Sequence, residues 1–193
     1  MWELPLIFVS GLLASTHCLG MCGPIVATLG VGSSSWRQII GRQCAYHVGR
    51  ICTYSALGAI LAFGGWRIAE RFPGLTVLPA CLAVIAGILL CGEGLFAAGL
   101  IRHPAIGSTR MPCLLASPVA GLLVRRNAFG AFLAGVVTGF FPCGLLYAFL
   151  ATAASTTSMA HGALVMAAFG LGAVPILLAT ALGATFVRGP SRK

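Results

Sequence analysis

Four side chains able to bind a soft metal or to exchange electrons crowd into the six positions 17–22: His17, Cys18, Met21 and Cys22, in the run Ser15-Thr16-His17-Cys18-Leu19-Gly20-Met21-Cys22-Gly23-Pro24. A sparser echo, Phe141-Pro142-Cys143-Gly144, follows much later. Thiolates attack disulfides and so pass electrons in pairs. Together with imidazole and thioether they also make up the ligand set that suits copper(I). In a helix Cys18 and Cys22 stand at i and i+4 on one face, with Cβ atoms about 5–6 Å apart. An unstrained disulfide needs about 3.8 Å, so joining these two would require the helix to open at Gly20 or Gly23. A bond from one helix to another makes no such demand. A shift of 121 residues superposes Cys22-Gly23 on Cys143-Gly144, which favours Cys22 with Cys143 as the pair and keeps Cys18 as a third candidate. From these residues alone, redox exchange, metal handling by His17, Cys18, Met21 and Cys22, and inert packing all stand open.

The elements that must position these residues are membrane helices. Of the 193 residues 59% are hydrophobic and 8% are charged, and the mean hydropathy is +1.00, against roughly a quarter charged residues in soluble domains. Apolar segments fall at about 4–31, 44–65, 76–101, 128–154 and 157–187, each at or above the ~20 residues that a span needs. Five spans, an odd count without alternating strand patterns, must be helices, since lipid offers backbone groups no other partner. The expected architecture is an all-α, polytopic membrane helix bundle forming one embedded domain over 1–193. The amino terminus has no basic leader region and its apolar run continues past residue 30, so it reads as a retained span rather than a signal peptide. Gly23, Pro24, Pro142, Gly144 and Pro175 are candidate helix breaks. Paired interruptions in corresponding spans point to an internal repeat with its site at the repeat interface. Gly58, Gly64 and Gly65 on the second helix and Gly87, Gly92, Gly94 and Gly99 on the third suggest close helix packing. Cys44, Cys52, Cys81, Cys91 and Cys113 read as small buried hydrophobes.

The net charge of +9 does not indicate nucleic acid, because the charges sit in short loops between apolar segments. Arg37, Arg42, Arg102, Arg110, Arg125, Arg126, Arg188, Arg192 and Lys193 fall on one side when loops alternate, and only Arg67 and Arg71 on the other. By the positive-inside rule the amino terminus is outside and the carboxy terminus cytoplasmic. The basic loop at 102–127, broken by Pro104, Pro112 and Pro118, then lies on the cytoplasmic face. Glu93 is an acid deep in a span. Counted from the span ends, its depth matches that of Arg50 within about one turn, at about 1.5 Å per residue, and an Arg50–Glu93 ion pair between helices two and three is expected. His47 should join that polar network or face the cytoplasmic headgroups.

Four blocks in order carry a resemblance: His17-Cys18-Leu19-Gly20-Met21-Cys22-Gly23-Pro24; Tyr46-His47-Val48-Gly49-Arg50 with Tyr54 and Gly58; Phe141-Pro142-Cys143-Gly144-Leu145-Leu146-Tyr147; and Phe169-Gly170-Leu171-Gly172-Ala173-Val174-Pro175. Over nearly its whole length the chain resembles the bacterial DsbD/CcdA-like transmembrane family, the group often labelled sulfite exporter TauE/SafE or UreH-like. The resemblance implies two inverted three-helix repeats, a sixth helix beyond the five visible, and residence in the bacterial cytoplasmic membrane. It implies transfer of reducing equivalents by one cysteine of helix one, Cys22 or Cys18, and one of helix four, Cys143. Thioredoxin-like proteins on one or both sides would be the partners, with cytochrome c or cytochrome oxidase maturation as the purpose and no resident cofactor. The first station departs from the electron carriers in having two cysteines beside His17 and Met21. That keeps a copper transporter or membrane chaperone as the alternative, with a sulfite or other anion exporter behind it.

Overall fold

The computed structural model describes residues 3–30, 36–71, 77–97, 127–141, 143–156 and 158–188. It leaves out the side chains at 17, 20–25, 27–30, 36, 77–78, 93, 96–97 and 184–188. Six helices make up these residues: α1 (Glu3–Gly30), α2 (Trp36–Arg71), α3 (Val77–Ala97), α4 (Ala128–Gly139), α5 (Gly144–Ala154) and α6 (Met159–Arg188). No strand occurs among the described residues. Among them α2 over Arg37–Arg71 and α6 over Met159–Gly183 are each long and apolar enough to cross a membrane, and α4 with α5 makes a third if counted as one broken span. The protein is an all-α, polytopic membrane helix bundle. The basic loop at 102–126 and His103 lie outside the described residues.

Helix lies within every expected apolar segment among the described residues, with two revisions. The second helix begins at Trp36, well before the expected 44, and has 36 residues. At about 1.5 Å per residue it is about 54 Å long, more than the ~30 Å of a hydrocarbon core. Its polar first turns extend it beyond what hydropathy marks. The fourth segment is two helices, because the backbone leaves helical geometry between Gly139 and Gly144. The offset of 121 residues that carries Cys22 to Cys143 also carries Trp36–Arg71 onto 157–192, where α6 occupies Met159–Arg188.

The chain forms two compact units, to both of which α2 and α6 contribute. The first contains Met1–Tyr54, Gly121–Phe140 and Ala167–Lys193. Glycines set its helix crossings: a side chain at Gly49 of α2 would run into the carbonyl of Phe132 of α4, and one at Gly135 of α4 into the carbonyl of Tyr46 of α2. Gly11 of α1 and Gly172 of α6 face the carbonyls of Phe169 and Phe8 in the same reciprocal way. Such backbone contact needs the missing Cβ, and it lets dispersion and Cα–H···O contacts replace a hydrophobic driving force that lipid does not supply.

The second unit contains Ser55–Ala120 and Phe141–Met166. Here Gly58 and Gly162 lie against each other's carbonyls, Gly65 lies against that of Ala154, and α3 packs on α5 with Leu90 filling the space over Gly144. The expectation for α3 is corrected: nothing approaches the positions a side chain would take at Gly87, Gly92 or Gly94. Cysteine placement is corrected too. Cys44, Cys52, Cys81 and Cys91 are exposed on the helices rather than buried in the protein, so in a bilayer their apolar partner is lipid. Cys113 lies outside the described residues.

Candidate thiol site

The first station is built on one face of α2. Gln43, Tyr46, His47, Arg50, Thr53 and Tyr54 are all buried, and their spacing of three or four residues aligns them along the helix. Polar groups inside a membrane bundle require partners, and α1 and α4 supply several. Gln43 Nε2 donates to the Val26 carbonyl of α1 at 2.9 Å. The hydroxyls of Tyr46 and Thr138 of α4 are hydrogen bonded at 3.1 Å. Thr53 Oγ1 donates back to the Gly49 carbonyl at 3.1 Å, with the Val136 carbonyl of α4 at 3.3 Å. The glycine crossing at Gly49 and Gly135 lets α4 approach closely enough for these short side chains to bridge.

Cys18 lies on α1 within the same unit and is 5% exposed. Arg50 Nη2 donates to its sulfur at 3.5 Å, while Arg50 Nε donates to Tyr54 Oη at 2.9 Å. The guanidinium carbon also stands 5.1 Å from the centroid of the Tyr54 ring, and that ring packs on Phe169 of α6 at 5.9 Å. Tyrosine therefore holds one edge of the guanidinium and leaves another for the sulfur. His47, expected near the headgroups or in the Arg50 network, does not face headgroups: it is buried on the Arg50 face of α2 with its ring edge-on to Tyr46 at 5.4 Å. The side chains of His17, Met21, Cys22, Gly23, Pro24 and Glu93 are outside those described, and with them the Cys22–Cys143 and Arg50–Glu93 pairings. Among the described residues no three His, Cys, Asp or Glu side chains converge as a metal site.

Cys143 is the second station. It caps the amino end of α5 with extended backbone (φ −124°, ψ 144°), its carbonyl accepts the Tyr147 N–H at 3.2 Å, and it is half-exposed. The interruption before it closes α4 tightly, with the Phe140 N–H donating to the Val137 carbonyl at 3.1 Å. A residue before proline disfavours helical geometry, which accounts for the exit at Phe141; Pro142 itself is outside the described residues. The other expected breaks are corrected. Helical backbone runs through Gly23 and Pro24 in α1 and through Pro175 in α6. A proline deep in a long membrane helix removes one hydrogen bond, and the turns on either side hold the rest of the ladder.

Tyr46, His47, Arg50, Tyr54 and the cysteines are singled out by sequence; Gln43, Thr53 and Thr138 are not. The missed signal is the recurrence of polar residues every three or four positions from Gln43 to Tyr54, inside an otherwise apolar helix.

Fold and site define a polytopic membrane protein with cysteines set into its helices at a buried cation and at a helix break. The chain belongs to the family described as the cytochrome C biogenesis protein transmembrane region, whose model matches residues 6–193. It is 30% identical over 195 residues to a thiol:disulfide interchange protein DsbD of Pseudomonas sp. (strain JR1 / K1), a match covering 98% of this chain and 32% of that protein. It is also 32% identical over 187 residues to a probable peptidoglycan glycosyltransferase FtsW of Nitrosococcus halophilus (strain Nc4), covering 89% of this chain and 44% of that one. The chain thus spans less than half the length of either relative. No solved structure matches it significantly.

Proposed function

We propose that the protein is a membrane-embedded thiol–disulfide electron carrier whose reactive sulfurs come from Cys18 and Cys22 of α1 and from Cys143 at the head of α5. The carrying observation is the Arg50 guanidinium on the Cys18 sulfur. A fixed cation there stabilises the negative charge that sulfur bears when it attacks a disulfide. The same cation repels a copper ion, which disfavours the soft-metal reading at Cys18. For the anion-exporter reading, the site's buried arginine is already engaged by sulfur and by tyrosine. The family's description and the name of the DsbD relative point the same way.

In the proposed exchange one carrier thiolate attacks the partner's disulfide, forming a mixed disulfide and releasing one partner sulfur, which takes up a proton. The second carrier thiol then attacks the mixed disulfide and releases the other partner sulfur with its proton. The carrier ends as a disulfide and the partner as a dithiol, so two electrons and two protons have moved. Cys22 with Cys143 is the pair the repeat favours. Thioredoxin-like proteins on one or both sides of the bacterial cytoplasmic membrane are the proposed partners, the amino terminus is outside, and cytochrome c or cytochrome oxidase maturation is the proposed use.

The test uses protein in which Cys44, Cys52, Cys81, Cys91 and Cys113 are replaced by alanine. Adding Cys143→Ser removes a resolving thiol and is expected to trap a mixed disulfide between an α1 cysteine and a thioredoxin-like protein, with peptide mapping showing whether Cys18 or Cys22 carries it. Full transfer activity in Cys143→Ser, with no trapped species under oxidising conditions, would overturn the reading.

A further inference from the structure

On the buried face of α2, just before the Arg50–Cys18 contact, two polar atoms have no hydrogen-bond partner among the described residues: Gln43 Oε1 and His47 Nε2. Gln43 is 0% exposed and His47 4%, so neither lipid headgroups nor bulk water reaches them from the surface. The two residues are at i and i+4, which sets their Cβ atoms about 5–6 Å apart on one face. Both groups are held in place. Gln43 Nε2 is tied to the Val26 carbonyl at 2.9 Å, which fixes the plane of the amide and the direction of its oxygen. The His47 ring stands edge-on to Tyr46, and Tyr46 is itself anchored by Thr138.

A buried polar group without a partner costs about 1–3 kcal/mol, and two on one face of one helix compound that cost. Internal water is the usual remedy, because it bridges two to four buried polar groups and donates and accepts alike. Water donates to Gln43 Oε1 whichever ring nitrogen of His47 carries the proton, and it can donate to or accept from Nε2 accordingly. A metal ion suits this pair less well, since an amide oxygen is a hard ligand beside an imidazole, and Arg50 supplies a positive charge one turn away.

We propose that Gln43 and His47 form an internal water site in the first unit, and that its water is the head of a polar path along α2 to the Arg50–Cys18 contact. His47 and Arg50 are i and i+3 on the same face, so the next polar group along the path is the one that touches sulfur. The path has a chemical reason. Each thiol–disulfide exchange takes a proton from an attacking thiol and returns one to a leaving sulfur, and hydrocarbon carries neither. This purpose rests on Cys18 being an exchanging thiol; the water site does not.

The site is tested by magnetic resonance on histidine-labelled full-length protein in lipid nanodiscs. Magnetisation transfer from water to the His47 ring protons is expected in the wild type and is lost in Gln43→Leu. The path is tested by the rate at which a small charged methanethiosulfonate reagent modifies Cys18. Losing the water should slow it about ten-fold or more in Gln43→Leu and in His47→Phe, the loss of one hydrogen-bonded water step. His47→Gln, which keeps a polar group, should restore most of the rate. If His47→Phe does not fold, Gln43→Leu decides alone. No water signal at His47 in the wild type, or Cys18 modified equally fast in Gln43→Leu, overturns the inference. A positive result here with no mixed disulfide in the trapping experiment would leave the water site standing and remove the electron-carrier reading.

Discussion

If Arg50 supports negative charge on the Cys18 sulfur, replacing it must slow that sulfur's attack on a disulfide by a calculable amount. A unit charge at 3.5 Å from a fully charged sulfur would be worth about 5 kcal/mol at an effective dielectric constant of ~20, which is a ceiling because the attacking sulfur carries only part of a charge. One hydrogen bond to a charged group is worth about 1.5–3 kcal/mol, or about 10- to 150-fold in rate. Arg50→Gln is expected near the upper end of that range. Arg50→Lys keeps the charge, but a single ammonium cannot satisfy Tyr54 Oη and Cys18 Sγ in the arrangement the planar guanidinium provides, so it should fall between. The assay is single-turnover reaction of Cys18 with a small aromatic disulfide in nanodiscs, in protein whose other cysteines are alanine, with thermal unfolding measured in parallel. The reasoning fails if Arg50→Gln, folded as judged by its melting curve, reacts within about two-fold of wild type, where ~0.4 kcal/mol would be too little for any charged hydrogen bond.

Two further outcomes follow from the packing and from the charge distribution. Gly135→Ala forces a methyl group into the Tyr46 carbonyl and should destabilise the protein by about 1–3 kcal/mol, seen as a lower melting temperature, whereas Gly87→Ala, which meets nothing, should be neutral or stabilising by about 0.5–1 kcal/mol; equal melting temperatures for the two would contradict the crossing. Single cysteines at Glu70→Cys and at Thr156→Cys, in an otherwise cysteine-free chain, should react with an impermeant maleimide added to intact cells, and Ser108→Cys should react only after lysis. The opposite labelling pattern would reverse the proposed orientation.

The helices were legible because lipid simplifies the code: a long apolar run can be little else than a helix. Four features were not. Hydropathy ends a helix where charges begin, so it does not mark the turns from Trp36 to Gln43 as helix although Arg42 and Gln43 are buried against the bundle. Glycine density pointed to α2 and α3, and Gly58 and Gly65 of α2 do meet backbone, yet Gly87, Gly92 and Gly94 of α3 meet nothing while Gly11, Gly49, Gly135 and Gly172, outside those clusters, do. Whether a glycine packs depends on which face meets another helix, and an all-round apolar helix does not reveal that face. Cysteines show the same limit, since an apolar neighbourhood in sequence does not separate a sulfur facing lipid, such as Cys81, from one facing a guanidinium, such as Cys18. The proline positions were legible and their effect was not, because Pro24 and Pro175 stay within the continuous helices α1 and α6.

The reciprocal glycine pairs have a consequence for how this chain can vary by mutation. When two side chains collide, trimming the neighbour relieves the clash, and second-site revertants can be selected. At Gly49, Gly135, Gly11 and Gly172 the neighbour is a carbonyl, and every amino acid carries one. No substitution opposite can make room. A lineage that loses one of these glycines regains the crossing only by reversion at that same codon, or by moving two helices apart and giving up the contact altogether.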